Sequence, residues 1–295
     1  MISSAIRYQL SRVVGRLAPL FPDVPYLHLF YYLHMGKRLD LSNPKTFSEK
    51  LQWLKIHYRQ DKLTMLVDKL AVKPFVARLI GEDMVCPVLA VWDRVEDIDL
   101  SKLPDRFVLK TTHSGGNTGV VVCKSKRDFD FDEAKKKLEE AMRTNVYTRY
   151  REWPYKNIPK KIFAEKNLGD NLVDYKFYCF NGEADCVLVC TGRQQGDVKY
   201  FFLDRDWNFL PYNEDSIKAQ DQFHLKKPDE LEQLFSLAEK MSKGFPFVRM
   251  DFFIAEGKVF FSEYTFFPAS GLDAKKTEEF ERKAGGKIDL SLVKP

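Results

Sequence analysis

Residues 248–265 read VRMDFFIAEGKVFFSEYT, and their reading decides how the rest of the chain is arranged. Glu256 and Gly257 are turn residues between two apolar, aromatic runs, so 248–254 and 258–265 predict an antiparallel hairpin. Two carboxylates, Asp251 and Glu263, lie inside those runs. Burying an ionised carboxylate is costly unless a cation or hydrogen bonds compensate it. Folding about the turn brings Asp251 opposite Ser262 or Glu263, depending on register, and the period of two puts Glu263 and Thr265 on one face. Paired carboxylates repel unless a cation lies between them, and oxygen ligands on a rigid hairpin suit Mg²⁺. Arg249 shares the face of Asp251 and offers a simpler ion pair, which leaves Glu263 unexplained.

Residues 107–122, FVLKTTHSGGNTGVVV, are the next most informative stretch. A strand ends at Lys110, a turn rich in glycine runs from Ser114 to Gly119, and a second strand begins at Val120. This is not a Walker A loop, which passes from strand to helix and ends in Gly-Lys-Ser/Thr. Glycines such as Gly115 and Gly116 let backbone N–H groups approach phosphates, and Lys110 adds a positive charge beside them. Alone, the loop reads equally well as a hairpin with a flexible tip. Lys69 falls on a predicted helix; Glu165 and Lys166 end one strand, while Asp174 and Lys176 open the next. Singly, each of these reads as a surface or edge-strand charge. Asp204 and Asp206 form a D-x-D pattern similar to the nucleotide-sugar site of many glycosyltransferases, but flanking aromatic strands make a hairpin turn the better explanation.

The chain has 295 residues, 44% hydrophobic and 30% charged, the balance of a soluble globular protein. Its 24 phenylalanines predict an aromatic-rich core. A net charge of +5 suits an anionic substrate and is too small to imply nucleic acid, for which no RNA or zinc-finger pattern is present. Five cysteines without a C-x-x-C pair read as reduced core thiols of a cytoplasmic protein. No run is long enough for a membrane span. Near the N-terminus Ile2, Ile6, Leu10, Val13 and Leu17 recur at helical spacing beside Arg7, Arg12 and Arg16. That helix is expected to pack on the body of the protein; the alternative is peripheral contact with an anionic membrane surface.

Helical patterns fill residues 1–60, where Thr46 or Ser48 is the expected N-cap of a helix along FSEKLQWLK, and continue through 61–81. Short strands follow at CPVLAVW, RFVLKTT, TGVVVCK and KKIFAEK, with a helix along DEAKKKLEEAMRTNVYTRY. DYKFYCF, EADCVLVCT and VKYFFL then precede a helix at PDELEQLFSLAEKMSKG and the opening hairpin. The charged tail after Gly271 is expected to be peripheral, with KIDLSL packing back. Without strict βαβ alternation, the class is α+β in two lobes. The expected divisions are a helical segment 1–60, a small lobe 61–165 and a larger lobe 166–295.

Taken in order, NPKTFSEKLQWLK, DKLAVKPFV, FVLKTTHSGG, DYKFYCFNGE, FPFVRMDFF and SEYTFFPASG resemble the ATP-grasp superfamily, in its teichuronopeptide-biosynthesis (TupA-like) branch, across roughly residues 43–271. The resemblance implies two α+β lobes clamping ATP, with a short helical N-terminal segment instead of the usual Rossmann-like lobe. It implies that Lys69 and Lys110 contact the ATP phosphates under the loop at Ser114, Gly115 and Gly116. Glu165, Lys166 and Leu168 would form the hinge beside adenine, and Asp174 would meet the ribose. Arg193 and Arg249 would act on the phosphates, Arg249 on the transferring group. Asp251 and Glu263 would hold Mg²⁺, with Thr265 where most of the superfamily carries Asn. Donors around Ser270 and Gly271 would lie near the acceptor. The implied activity is an ATP- and Mg²⁺-dependent carboxylate–amine ligase working through an acylphosphate, on a cell-surface polysaccharide or its uronic acid precursor. A glycosyltransferase, a sugar kinase on the same ATP site and a non-catalytic nucleotide-binding partner are the alternatives.

Overall fold

The computed structural model describes residues 3–116, 118–170, 172–192, 196–219 and 225–293. Five helices come first: α1 (Ser4–Arg16), α2 (Asp23–Met35), α3 (Phe47–His57), α4 (Asp61–Val67) and α5 (Val72–Ile80). Thr46 caps α3 in a reciprocal box: its hydroxyl accepts the Glu49 N–H at 3.3 Å, and the Glu49 carboxylate accepts the Thr46 N–H at 3.0 Å. The helix expected to run unbroken to Gly81 is interrupted at 68–71. There the Asp68 carboxylate accepts the N–H groups of Leu70 and Ala71 at 2.9 and 3.0 Å, a local bond that competes with helix. Lys69 therefore sits on a turn, not on a helix face.

A four-stranded antiparallel sheet follows, made by β1 (Val88–Trp92), β2 (Phe107–Thr111), β3 (Val120–Cys123) and β4 (Ile162–Lys166) in the order β1-β4-β2-β3. Between β3 and β4 lie α6 (Phe131–Arg143) and α7 (Val146–Tyr150), separated where Asn145 caps α7 by accepting the Tyr147 N–H at 2.9 Å. Leu138 of α6 closes a small core with Phe107, Leu109, Ile162 and Ala164. β4 is an interior strand, so Glu165 is buried rather than an edge charge.

The second sheet contains β5 (Asp174–Phe180), β6 (Glu183–Thr191), β7 (Lys199–Leu203), β8 (Phe247–Ala255) and β9 (Lys258–Thr265), antiparallel in the order β7-β6-β5-β8-β9. Helix α8 (Glu214–Ala219) lies against β7, and α9 (Leu231–Ser242) covers one face, where Phe177 of β5 meets Phe235 edge-on at 4.9 Å. β5 is buried along its whole length. On the face away from α9, Tyr178 and Phe180 are roofed by aromatic rings, whereas Asp174 and Lys176 line a cleft.

That roof corrects the expectation of a peripheral tail. Helix α10 (Glu278–Lys287) inserts Phe280 between Phe47 and Phe202, at 5.0 and 5.3 Å, and the Glu281 carboxylate accepts the Ser48 N–H at 2.8 Å. A Cβ on Gly285 would lie 2.3 Å from the Lys45 carbonyl oxygen, so only glycine lets α10 lie this close to the start of α3. Most of the phenylalanines fall in one cluster that joins N-terminal helices, sheet and C-terminal helix.

Two further elements meet their expectations differently. Asp204 accepts the backbone and side-chain N–H groups of Asn208 at 2.8 and 3.0 Å, so the D-x-D pattern is a hairpin turn. Helix α1 packs on α2 through Ser11 and Val14, but Ile6 (55% exposed), Leu10, Val13 (54%) and Leu17 face outward. Among the described residues no helix is long and apolar enough to cross a membrane. All five cysteines are buried thiols outside any disulfide.

Candidate active site

The hairpin register is set by one extra residue. β8 and β9 pair Ala255 with Lys258 through Phe252 with Phe261 in regular steps. A bulge at Ser262 then shifts the register, so Asp251 faces Glu263 and Arg249 faces Thr265. Without the bulge Asp251 would face Ser262, and Glu263 would turn to the opposite side of the sheet. On the other flank β5 places Lys176 beside Asp251. Arg249, Asp251, Glu263, Thr265 and Lys176 thus share one face.

Asp251 is 0% exposed. Its carboxylate accepts Arg249 Nε at 2.7 Å and Nη2 at 2.6 Å, and Lys176 Nζ at 2.7 Å. Burial pushes this carboxyl up, and Arg249 and Lys176 oppose that rise. Arg249 Nη2 also donates to Glu263 Oε1 at 3.4 Å and to Thr265 Oγ1 at 3.1 Å. One positive group therefore occupies the point where three oxygens from three residues converge. Burial works against the charge on Glu263, but Lys69, Lys176, Arg249 and Lys110 together hold its carboxyl down at about 2. Glu263 and Thr265 line the cleft, whereas Asp251 lies beneath Arg249 and Lys176.

Across the cleft, Lys110 at the end of β2 reaches Glu165 Oε2 at 2.5 Å, and Lys73 of α5 reaches Glu165 Oε1 at 2.6 Å. Burial would raise the Glu165 carboxyl, but Lys110 and Lys73 outweigh it and hold it below the usual carboxylate range. Glu165 thus serves as counter-charge to Lys110. Lys69 bridges the two sides: its ammonium donates to the Ser114 carbonyl and lies 3.6 Å from Glu263 Oε2. The loop is anchored where Thr111 Oγ1 donates to Ser114 Oγ at 2.6 Å. A Cβ on Gly119 would sit 2.0 Å from Thr111 Oγ1, so this closure requires glycine. Gly116 has φ 58° and open space around it, at the tip over the cleft.

The cleft has a volume of about 1590 Å³ and is lined by Lys69, Lys110, Ser114, Gly115, Gly116, Glu165, Lys166, Leu168, Asp174, Arg249, Glu263 and Thr265. The structure thus brings together, on one cavity, the residues singled out in the sequence, with Asp251 just beneath. Arg193 lies outside the described residues. Five cations (Lys69, Lys73, Lys110, Lys176, Arg249) are interleaved with four carboxylates (Asp174, Glu165, Asp251, Glu263), a setting suited to an anionic ligand that brings a cation with it.

The donors fit a hard divalent cation to a defined extent. Two carboxylates and a hydroxyl converge on a point already taken by positive charge, although no cluster of three His, Cys, Asp or Glu side chains suited to a metal occurs among the described residues.

A second buried polar group escaped the sequence reading. Lys55 of α3 is fully buried, and its ammonium donates to Gln52 Oε1 at 2.9 Å and to the Ser270 carbonyl at 2.8 Å. Gln52 Nε2 donates to the carbonyls of Ser270 and Gly271, both at 3.0 Å. The Ser270 hydroxyl donates to Glu152, which follows α7. This network clamps a turn at Pro268–Gly271 in which Ala269 (φ 47°) and Ser270 (φ 56°) are left-handed, a conformation that costs energy for side chains other than glycine. Lys55 and Gln52 lie in the motif already quoted at 43–55, but their helical spacing read as an ordinary amphipathic face.

Comparison with known proteins follows the same lines. The sequence model of the TupA-like ATP-grasp family matches residues 49–289. No curated protein matches the chain significantly. Among solved structures it is similar to D-alanine–D-alanine ligase from Helicobacter pylori, at 15% identity and TM-score 0.45, over 82% of this chain and 68% of that one. The ATP complex of the Bacillus anthracis D-alanine–D-alanine ligase matches at 15% identity and TM-score 0.44, over 87% and 74%. N5-carboxyaminoimidazole synthetase from Staphylococcus aureus matches at 15% identity and TM-score 0.42, over 78% and 51%. With most of its length matched, the chain belongs to the TupA-like ATP-grasp family, whose superfamily comprises ligases that join a carboxylate to an amine with ATP and Mg²⁺.

Proposed function

We propose that this ligase activates a uronic acid carboxylate as an acylphosphate and transfers it to an amine, forming an amide on a cell-surface polysaccharide or its precursor. The observation that carries the reading is the convergence of Asp251, Glu263 and Thr265 oxygens on Arg249 Nη2, facing Lys110 and the glycine loop across one cleft. Lys69 and Lys110 neutralise phosphate oxygens, and Ser114, Gly115 and Gly116 close over them. Lys166 and Leu168 flank adenine, with Glu165 fixing Lys110 beside them, and Asp174 meets the ribose. Arg249 turns its guanidinium from the carboxylates to the transferring phosphoryl group. Asp251, Glu263 and Thr265 would hold Mg²⁺, which supplies positive charge beside the phosphates when bound. The division of work suits phosphoryl transfer, where the protein positions and neutralises more than it reacts.

The test is incubation of the full chain with Mg-ATP, D-glucuronate or D-galacturonate and a panel of amines, with products followed by mass spectrometry. ADP, phosphate and a condensation product support the ligase; a phosphorylated sugar points to a kinase; no ATP consumption refutes both. The double variant Asp204→Ala/Asp206→Ala retains full activity on this reading, because Asp204 is committed to a turn and neither side chain lines the cleft.

The outward stripe of Ile6, Leu10, Val13 and Leu17, with Arg12 and Arg16 on the neighbouring face of α1, supports peripheral contact with an anionic membrane. Co-sedimentation with phosphatidylglycerol vesicles checks it: binding that salt weakens and Leu10→Glu/Val13→Glu abolishes is expected, and equal recovery with neutral vesicles contradicts it.

A further inference from the structure

Glu152 has no part in holding the nucleotide, yet it lines the same cleft as Glu263, Arg249 and Thr265, at the end formed by the Pro268–Gly271 turn. Only 6% of it is exposed, and its bonded partner among the described side chains is the Ser270 hydroxyl. Lys55, the nearby cation, spends two hydrogen bonds on Gln52 Oε1 and the Ser270 carbonyl, so it fixes the turn instead of capping the carboxylate. Tyr155, on the next turn, is buried and lines the same cleft. A buried carboxylate, stacked on a strained turn and opening only into the cleft, is an arrangement maintained at a cost.

We infer that Glu152 is the subsite for the ammonium group of the amine substrate and removes its proton before attack. This rests on the ligase reading above. The carboxylate binds the ammonium form and accepts one N–H proton, which leaves the nitrogen lone pair free. The C–N bond forms as the C–O bond to phosphate breaks, with that electron pair leaving on phosphate; the surplus nitrogen proton departs to phosphate and solvent. Ser270 and Lys55 are positioning residues that act through Glu152. Burial moves the Glu152 carboxyl up to about 7 and the Lys55 ammonium down to about 8, which suits a proton acceptor working near neutral pH. The groups facing Glu152 are Lys55 from α3, Ser270 from the turn, Glu263 from β9 and Tyr155 from its own segment. Lys55 and Ser270 lower the carboxyl and Glu263 raises it, against the larger rise that burial causes.

The experiment compares two nucleophiles at pH 7 with Mg-ATP and D-glucuronate: ammonium, which must lose a proton, and hydroxylamine, which is largely neutral already. Wild type is expected to form both amide and hydroxamate. Glu152→Gln should lose amide formation by about 100-fold or more, the usual contribution of a general base, while hydroxamate formation stays within a few-fold. Should the glutamine variant not fold, Glu152→Asp keeps a displaced carboxylate and is expected to show the same selective loss, less severe. Hydroxamate without amide in the wild type, amide retained in both variants, or equal loss of both products overturns the inference. Absence of both products from wild type overturns the ligase reading itself, and this inference with it.

Discussion

Replacing Asp251 by asparagine changes no heavy-atom volume but removes the one negative charge that Arg249 and Lys176 share. In wild type three charge-assisted hydrogen bonds of 2.6 to 2.7 Å converge on that carboxylate, which is 0% exposed. The amide has one acceptor oxygen and turns an NH₂ donor towards groups that are themselves donors. Breaking a buried ion pair from one side costs about 3–5 kcal/mol, because the cations left behind stay desolvated. Glu263, at 3.4 Å from Arg249, recovers part of this, which places the loss at the lower end, about 3 kcal/mol. For a chain of this size that is a fall of roughly 10 °C in Tm. Urea unfolding at neutral pH with EDTA, without nucleotide, measures it, and thermal melts give the same ranking. A loss below about 1 kcal/mol would refute the reasoning, since Asp251 would then be neither buried nor compensated as described.

Other outcomes follow from the same geometry. Lys110→Met should weaken Mg-ATP binding about 10- to 100-fold by calorimetry, the worth of one hydrogen bond to a charged phosphate, with Glu165 still held by Lys73. Ala269→Gly should stabilise the chain by roughly 0.5–1 kcal/mol in urea unfolding, because glycine adopts φ 47° without strain. The Lys55 and Glu152 pair predicts a dip in stability between pH 7 and 8. The folded Glu152 holds its proton up to about 7 against an ordinary 4.5, so stability falls as pH rises across that interval; Lys55, lowered from 10.5 to about 8, restores it as pH rises towards 10.5. Each limb amounts to at most about 3 kcal/mol, and it disappears from the difference profile against Lys55→Met/Glu152→Gln.

The hairpin and its two carboxylates were legible because apolar runs around a Glu-Gly turn have few other ways to fold, and burial forces a question about charge. Which residue faces Asp251 was not legible, since a bulge depends on packing across β5, β8 and β9 instead of on local pattern. The break at 68–71 hid in a helical periodicity that Asp68 interrupts with a side-chain bond. Lys73 and Glu165 sit 92 positions apart in sequence and meet only when α5 lies against β4. The charged tail looked peripheral because its buried apolar residues, among them Phe280, Ala284 and Ile288, are few and are set among charges, although these three recur at helical spacing. Glu152 and Lys55 were invisible because a charge on a helix, or in the segment that follows one, is ordinarily solvated, and nothing local marks those that a distant strained turn covers.

The central claim is that the cleft drives a carboxylate through an acylphosphate. Reaction with D-glucuronate labelled with oxygen-18 in its carboxylate, Mg-ATP and an accepting amine tests it in one mass spectrum. The account predicts ADP and inorganic phosphate carrying one oxygen-18 atom, because the carboxylate oxygen bonded to phosphorus leaves with it. Unlabelled phosphate alongside amide, or label retained in a phosphorylated sugar, would contradict it.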